Sequence, residues 1–216
     1  MLELEGVAGP HQGARLLATG QPLEDADRVM IFVHGRGSNA ESMISLTSAL
    51  HRDNFAYVLP SAVGNTWYPY GFMEPMQANE PYLSSALQLL DVLTQQILAA
   101  GFAHNQIVLA GWSQGACLAS EFVARSGTPW GGLLVFSGGL IGPAGTPRNY
   151  TGTLQDMPVF IGCSDIDFHI PLERVNESAE VLAEMGADVE KVIYPNMGHT
   201  IVQDEIDRAS KMLMNV

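Results

Sequence analysis

The apolar residues of this chain fall into short runs separated by longer amphipathic stretches. Runs at 28–33, 55–59, 106–110, 131–136, 157–161 and 189–194 are rich in Val, Ile, Leu, Phe and Tyr and have strand length. Between them, apolar positions recur at three- and four-residue steps. Leu83, Leu87, Leu90, Leu93 and Ile97 trace one face of a helix predicted over 80–100. Met43, Leu46 and Leu50 mark another over 39–52. Further helices are predicted over 113–125, 171–185 and 201–214, and Gly186 supplies a stop for the second of these. Pro60 closes the strand that begins at Phe55. A segment within 9–20 adds a candidate edge strand.

Strands alternating with helices imply βαβ crossovers, hence an α/β fold with a mostly parallel central sheet and helices on both faces. The chain shows no internal repeat and no linker rich enough to divide it. Residues 1–216 therefore read as a single domain. Two connections are long. One spans 60–79 and carries Trp67, Tyr68, Tyr70 and Phe72; the other spans 137–156 and is rich in Gly and Pro.

Composition narrows the function classes. With 47% hydrophobic and 15% charged residues, the chain has material for a sizeable core and is not a disordered polyampholyte. Its net charge of −13 disfavours nucleic acid and anionic headgroups as partners. The opening residues, Met1-Leu2-Glu3-Leu4-Glu5, lack the basic and apolar regions of a secretory signal. The uncharged stretch between Asp91 and Glu121 is interrupted by Gln95, Gln96, His104, Asn105 and Gln106, so no membrane-spanning segment is expected. Two cysteines, Cys117 and Cys163, form no disulfide framework, and a cytoplasmic location is the default expectation.

The candidate chemistry centres on Gly111-Trp112-Ser113-Gln114-Gly115. A serine hydroxyl needs a base to take its proton and donors to hold a developing oxyanion. Gly-x-Ser-x-Gly meets the geometric demand by placing the serine on a tight strand-to-helix turn, as in the α/β-hydrolase fold. The context agrees: 107–110 reads as a strand entering the turn and 114–125 as a helix leaving it. Ser113 is thus the candidate nucleophile. Its base should lie downstream, after an acidic residue. Of the six histidines only His169 and His199 follow Ser113. His199 lies between the last strand and the last helix, within reach of the sheet's carboxyl edge, and is the candidate base. His169, close to Pro171 and a helix, reads as a loop or packing residue. The acid should follow the strand at 157–161, where both Asp165 and Asp167 qualify; pattern alone does not separate them.

The first predicted strand ends in His34-Gly35-Arg36-Gly37. One oxyanion donor is expected from the backbone N–H of Arg36 and the other from that of Gln114, with the Arg36 side chain incidental to this role. No Cys/His cluster has metal-ligand spacing, and Gly138, Gly139 and Gly142 do not follow the dinucleotide fingerprint. Neither metal nor cofactor is expected.

With these residues assembled, the chain resembles the phospholipase/carboxylesterase family of α/β-hydrolases, which includes bacterial carboxylesterases and acyl-protein thioesterases. The resemblance rests on Phe32-Val33-His34-Gly35-Arg36-Gly37, Gly111-Trp112-Ser113-Gln114-Gly115-Ala116, Asp167-Phe168-His169-Ile170-Pro171 and Tyr194-Pro195-Asn196-Met197-Gly198-His199. These segments run from near residue 30 to near residue 200. The family's acid stands just before a Val-Pro or Ile-Pro segment, which selects Asp167. The step from Gly162 to Asp167 is longer than the family's usual one, which Asp165 would satisfy. Asn65-Thr66-Trp67-Tyr68-Pro69-Tyr70-Gly71-Phe72 stands where the family carries a Trp-aromatic segment near the acyl site, so Trp67 and Tyr68 are the expected substrate-binding residues.

The resemblance implies a serine hydrolase that cleaves small-molecule carboxylic esters by a Ser113-His199-Asp167 triad through an acyl-enzyme. The nearest alternative is a thioesterase acting on acylated thiols. A dienelactone-hydrolase-like activity is opposed by serine, not cysteine, at the elbow. A catalytically silent binding module of the same fold is opposed by the complete Ser, Asp and His set. The family also allows a homodimer, which no pattern in the chain specifies.

Overall fold

A computed structural model describes residues 2, 4–214 and 216. Seven strands form one sheet: β1 (Arg15–Gly20), β2 (Arg28–Val33), β3 (Phe55–Ser61), β4 (Ile107–Trp112), β5 (Gly132–Phe136), β6 (Pro158–Ser164) and β7 (Asp188–Tyr194). Their order across the sheet is β1-β3-β2-β4-β5-β6-β7. Only β1 is antiparallel, pairing Leu16 with Pro60 and Ala18 with Val58. The helices are α1 (Ile44–Ala49), α2 (Tyr82–Ala99), α3 (Gln114–Ser126), α4 (Leu172–Glu184) and α5 (Gln203–Met212).

Strand alternation sorts the core into two layers. Val29, Ile31 and Val33 of β2 join Leu109, Leu133, Val135 and Ile161 on the face covered by α2, α3 and α4. Met30 and Phe32 point the other way, into a layer with Phe136, Phe160, Leu50, Ile206 and Leu213. The central strands are buried on both faces, which is why they read as continuous apolar runs.

Three boundaries differ from the sequence reading. The helix expected over 39–52 shrinks to a 3-10 turn at Glu41–Met43 followed by α1. At its start Asn39 Oδ1 accepts from the Ser42 amide at 3.1 Å, and the Ser42 hydroxyl turns back to Asn39 O at 2.6 Å. The first of these is a capping bond, which sets Asn39 outside the helical turn it starts. Pro60 does not end β3, which runs on to Ser61. Pairing with β2 stops at Val58, so Pro60 faces β1 alone and its missing N–H breaks no central ladder. The edge strand within 9–20 forms only from Arg15, because Gly9–His11 makes a 3-10 turn against α2.

The connection after β2 leads to β3 on one side, and the chain returns through α2 to β4 on the other. Loops leaving β2 and β4 therefore diverge at a topological switch point. A crevice opens there at the carboxyl ends of the strands.

Candidate active site

Strand β4 ends in Gly111-Trp112 and turns sharply at Ser113, whose backbone sits at φ 55° and ψ −120° before α3 begins. That conformation is strained for a residue with a Cβ. Two bonds hold it: the Ser113 amide donates to Phe136 O at 2.9 Å, and Ser113 O accepts from Cys117 N at 3.0 Å. The flanking glycines are demanded by packing. A Cβ at Gly111 would lie 2.4 Å from Gly115 O, and one at Gly115 would lie 2.1 Å from Val33 O. The elbow is pressed directly onto the end of β2.

His199 reaches this turn from the loop after β7. Its Nε2 lies 2.8 Å from Ser113 Oγ and its Nδ1 lies 2.7 Å from Asp167 Oδ2. A carboxylate only accepts, so the ring proton belongs on Nδ1, and the Nε2 lone pair faces the serine hydroxyl. The imidazole stacks on Trp112 with centroids 5.5 Å apart, and His169 meets it edge-on at 4.7 Å. His169, read from sequence as a loop or packing residue, thus belongs to the rim of the site.

The two candidate acids are placed differently. The Asp167 side chain is fully buried, and its Oδ1 accepts from the amides of His169 at 2.8 Å and Ile170 at 3.1 Å. These bonds leave Oδ2 for His199. Asp165 is exposed and accepts instead from the Asn196 amide at 2.8 Å. Together with Ser164 Oγ, which accepts from Gly198 N at 3.1 Å, Asp165 braces the loop that carries His199.

The loop after β2 comes alongside. A Cβ at Gly35 would lie 2.9 Å from the Trp112 ring and 3.4 Å from Ser113 Cβ. The His34 imidazole is buried beneath this loop. Its Nδ1–H donates to Gly35 O at 2.7 Å and its Nε2 accepts from Ala62 N at 3.0 Å. Burial lowers its pKa, which keeps it neutral and able to do both. The backbone N–H groups of Arg36 and Gln114 make no hydrogen bond among the described residues. Gln114 opens α3, so its N–H is one of the helix's unpaired first-turn donors.

Trp67 was expected to meet substrate, and here the structure corrects the reading. Trp67 is fully buried behind the site, where its Nε1–H donates to His34 O at 2.8 Å. Its own carbonyl accepts from His11 Nε2 at 2.9 Å. A bulky apolar ring with one donor gains more from that enclosed slot than from the crevice. Tyr68 does line the crevice. Sequence reasoning missed the Gln114 side chain, whose Oε1 accepts from Trp67 N at 2.9 Å and whose amide donates to Tyr68 O at 2.8 Å. Gln114 therefore stitches loop 66–68 to the elbow. The available signal was a glutamine where a backbone donor needs no particular side chain. His11 was missed too; nothing local ties it to a loop more than fifty residues away.

These groups enclose a crevice of about 370 Å³, lined by Arg36, Tyr68, Phe72, Trp112, Ser113, Cys117, His169, Ile170 and His199 among others. A larger groove of about 650 Å³ lies at the strands' amino ends, between Arg28 and Lys211, and contains no serine–histidine pair. Burial pushes the Cys117 thiol up to about 12, so it stands in the crevice as a neutral group. Among the described residues no three His, Cys, Asp or Glu side chains gather into a possible metal site, and no helix is long and apolar enough to cross a membrane.

Comparison with known proteins finds relatives over nearly the whole chain. The model of the phospholipase/carboxylesterase family matches residues 16–216. A crystal structure of a phospholipase/carboxylesterase from Dyadobacter fermentans superposes with a TM-score of 0.91 at 40% identity, covering 96% of this chain and 100% of that one. Acyl-protein thioesterase 1 of Gibberella zeae is 27% identical over 85% of this chain and 88% of its own length. A probable carboxylesterase of rice is 27% identical over 59% of this chain and 54% of its own.

Proposed function

Because the chain belongs to the phospholipase/carboxylesterase family, we propose that it is a serine hydrolase that cleaves carboxylic esters through an acyl-enzyme on Ser113. The observation that carries this reading is the single hydrogen-bonded line from Ser113 Oγ through His199 to Asp167, at 2.8 and 2.7 Å. As Ser113 attacks the ester carbonyl, His199 Nε2 takes the hydroxyl proton. Asp167 holds the tautomer and stabilises the imidazolium. The Arg36 and Gln114 amides receive the oxyanion, with α3 adding its positive end. His199 then protonates the leaving alcohol, which departs as the carbonyl reforms. Water, deprotonated by His199, attacks the acyl-enzyme and releases the acid and the free serine.

A second reading has its own support: a thioester, with a thiol as leaving group, suits the same machinery, and a matched relative is named an acyl-protein thioesterase. Matched oxygen and sulfur esters of one acyl chain separate the two. Ester hydrolysis within about tenfold of thioester hydrolysis supports the carboxylesterase reading. A thioester advantage far above that assigns the chain to acylated thiols. Ser113→Ala should lower both rates by at least about a thousandfold. Wild-type rates in that variant would overturn the mechanism.

A further inference from the structure

The serine machinery uses only the backbone of Arg36, and its guanidinium stands in the same crevice. Arg36 is exposed there, lining the crevice with Ser113 and Tyr68. Nη1 donates to Pro69 O at 2.7 Å and Nη2 to Tyr70 O at 2.5 Å, while the guanidinium carbon stands 5.9 Å from the centre of the Tyr68 ring. Two of its five N–H donors are thus engaged, and three remain.

Carbonyl acceptors orient the group but leave its charge uncompensated. Arg15, Arg125, Arg148, Arg174 and Arg208 pair with carboxylates, whereas Arg28 and Arg52 bond carbonyls as Arg36 does but stand away from this crevice. Arg36 pairs with none among the described residues, in a chain whose formal net charge is −13. No Asp or Glu lines the crevice, and the nearby Asp167 is committed to His199. An unpaired cation kept in a fixed fork at a reaction site is prepared for a planar or tetrahedral anion. A second group points the same way. The Tyr68 hydroxyl is buried at the crevice beside the Cys117 thiol, within the fields of Arg36 and Glu121, and has no nitrogen or oxygen hydrogen-bond partner among the described residues. Burial raises its pKa well above the ordinary value, so it remains a donor.

We propose that Arg36 is a specificity-determining residue that binds an anionic group of the substrate, so that the ester cleaved at Ser113 carries a carboxylate or a phosphate near its scissile bond. The inference rests on the ester-hydrolase reading for its chemistry but not for its binding site. It also assigns the Arg36 side chain a role, where the sequence suggested none.

The test uses matched pairs that differ in one charge. 4-Nitrophenyl hydrogen glutarate against 4-nitrophenyl pentanoate places a carboxylate in the acyl part. 4-(Butyryloxy)benzoate against phenyl butyrate places it in the alcohol part. Butyryl glycerol 3-phosphate against butyrylglycerol supplies phosphate. In at least one pair the wild-type chain should favour the anion by about tenfold in kcat/KM, chiefly through KM, as expected for one charge-assisted fork. Arg36→Gln should erase that preference, and Arg36→Lys should restore part of it. A neutral preference in all three pairs overturns the proposal. So does an Arg36→Gln variant that slows both members of each pair equally, since that result marks Arg36 as a structural staple only. If the wild-type chain cleaves none of these esters, the hydrolase reading fails, and calorimetry on Ser113→Ala decides the anion site. Saturable binding of glutarate or inorganic phosphate that Arg36→Gln abolishes retains the site; no binding of either removes it.

Discussion

At Ser113 a backbone strained at φ 55° and a hydroxyl bonded to His199 belong to the same residue. Such conformations cost on the order of 1–3 kcal/mol for a residue with a Cβ. Ser113→Gly should therefore be about 1 kcal/mol more stable than Ser113→Ala by thermal or denaturant unfolding, although glycine ordinarily lowers stability. Equal or lower stability of the glycine variant would show that the turn stores no strain. The two aspartates make a second residue-scale contrast. Asp167→Asn should cost about 10³- to 10⁴-fold in kcat, because an amide no longer fixes the His199 tautomer. Asp165→Asn should cost less than about tenfold, since among the described residues the Asp165 carboxylate accepts only from the Asn196 amide, a bond an asparagine carbonyl can also accept. Assaying the two variants side by side checks this, and the reverse order would transfer the acid's role. The elbow motif was legible because its requirements are local: glycines at the two positions where a Cβ meets backbone. The preference for Asp167 came from the family's Ile-Pro register and not from pattern, because the placement depends on two amides folding the Asp167 carboxylate inward while Asp165 turns out. Trp67 was misplaced for a related reason. An aromatic run states that something is buried without stating on which side of the loop.

Among the elements, the parallel core strands were the most legible, since burial on both faces writes an unbroken apolar run. Helix α1 was over-read at its start because Asn39 caps the helical turn from outside it, and Pro60 was over-read as a stop because the sequence does not reveal which strand lies beside it. Helix α5 carries a feature the hydrophobic pattern hides. Glu205 is fully buried at its first turn, with Oε2 accepting from Val202 N at 2.8 Å and Oε1 without a hydrogen-bond partner among the described residues. Burial raises this carboxyl from 4.5 to about 7. Between those values the folded chain keeps a proton that the unfolded chain has lost, so this group's contribution to stability falls as pH rises through the window. Glu205→Gln keeps an acceptor for Val202 and removes the ionisation. Relative to wild type it should gain about 1–3 kcal/mol between pH 5 and pH 8, read from paired melting curves. A constant difference across that range would place the carboxylate in a better-solvated setting.

For the molecule as a whole, the alternation of strand and helix announced an α/β sheet, but strand order lies in long-range pairing and could not be read from periodicity. That order matters because it opens the crevice between the loops of β2 and β4. It brings residues from four separated segments — Arg36, Ser113, Asp167 and His199 — to one edge of the sheet. In the proposed mechanism this edge makes Ser113 a nucleophile. That role is tested most directly by exposing the folded chain to a fluorophosphonate and locating the adduct by peptide mass spectrometry. One stoichiometric adduct is expected on the peptide containing Ser113, lost in Ser113→Ala and slowed by at least about a hundredfold in His199→Ala. An unmodified wild-type chain, or an adduct that persists on another residue in Ser113→Ala, would contradict it.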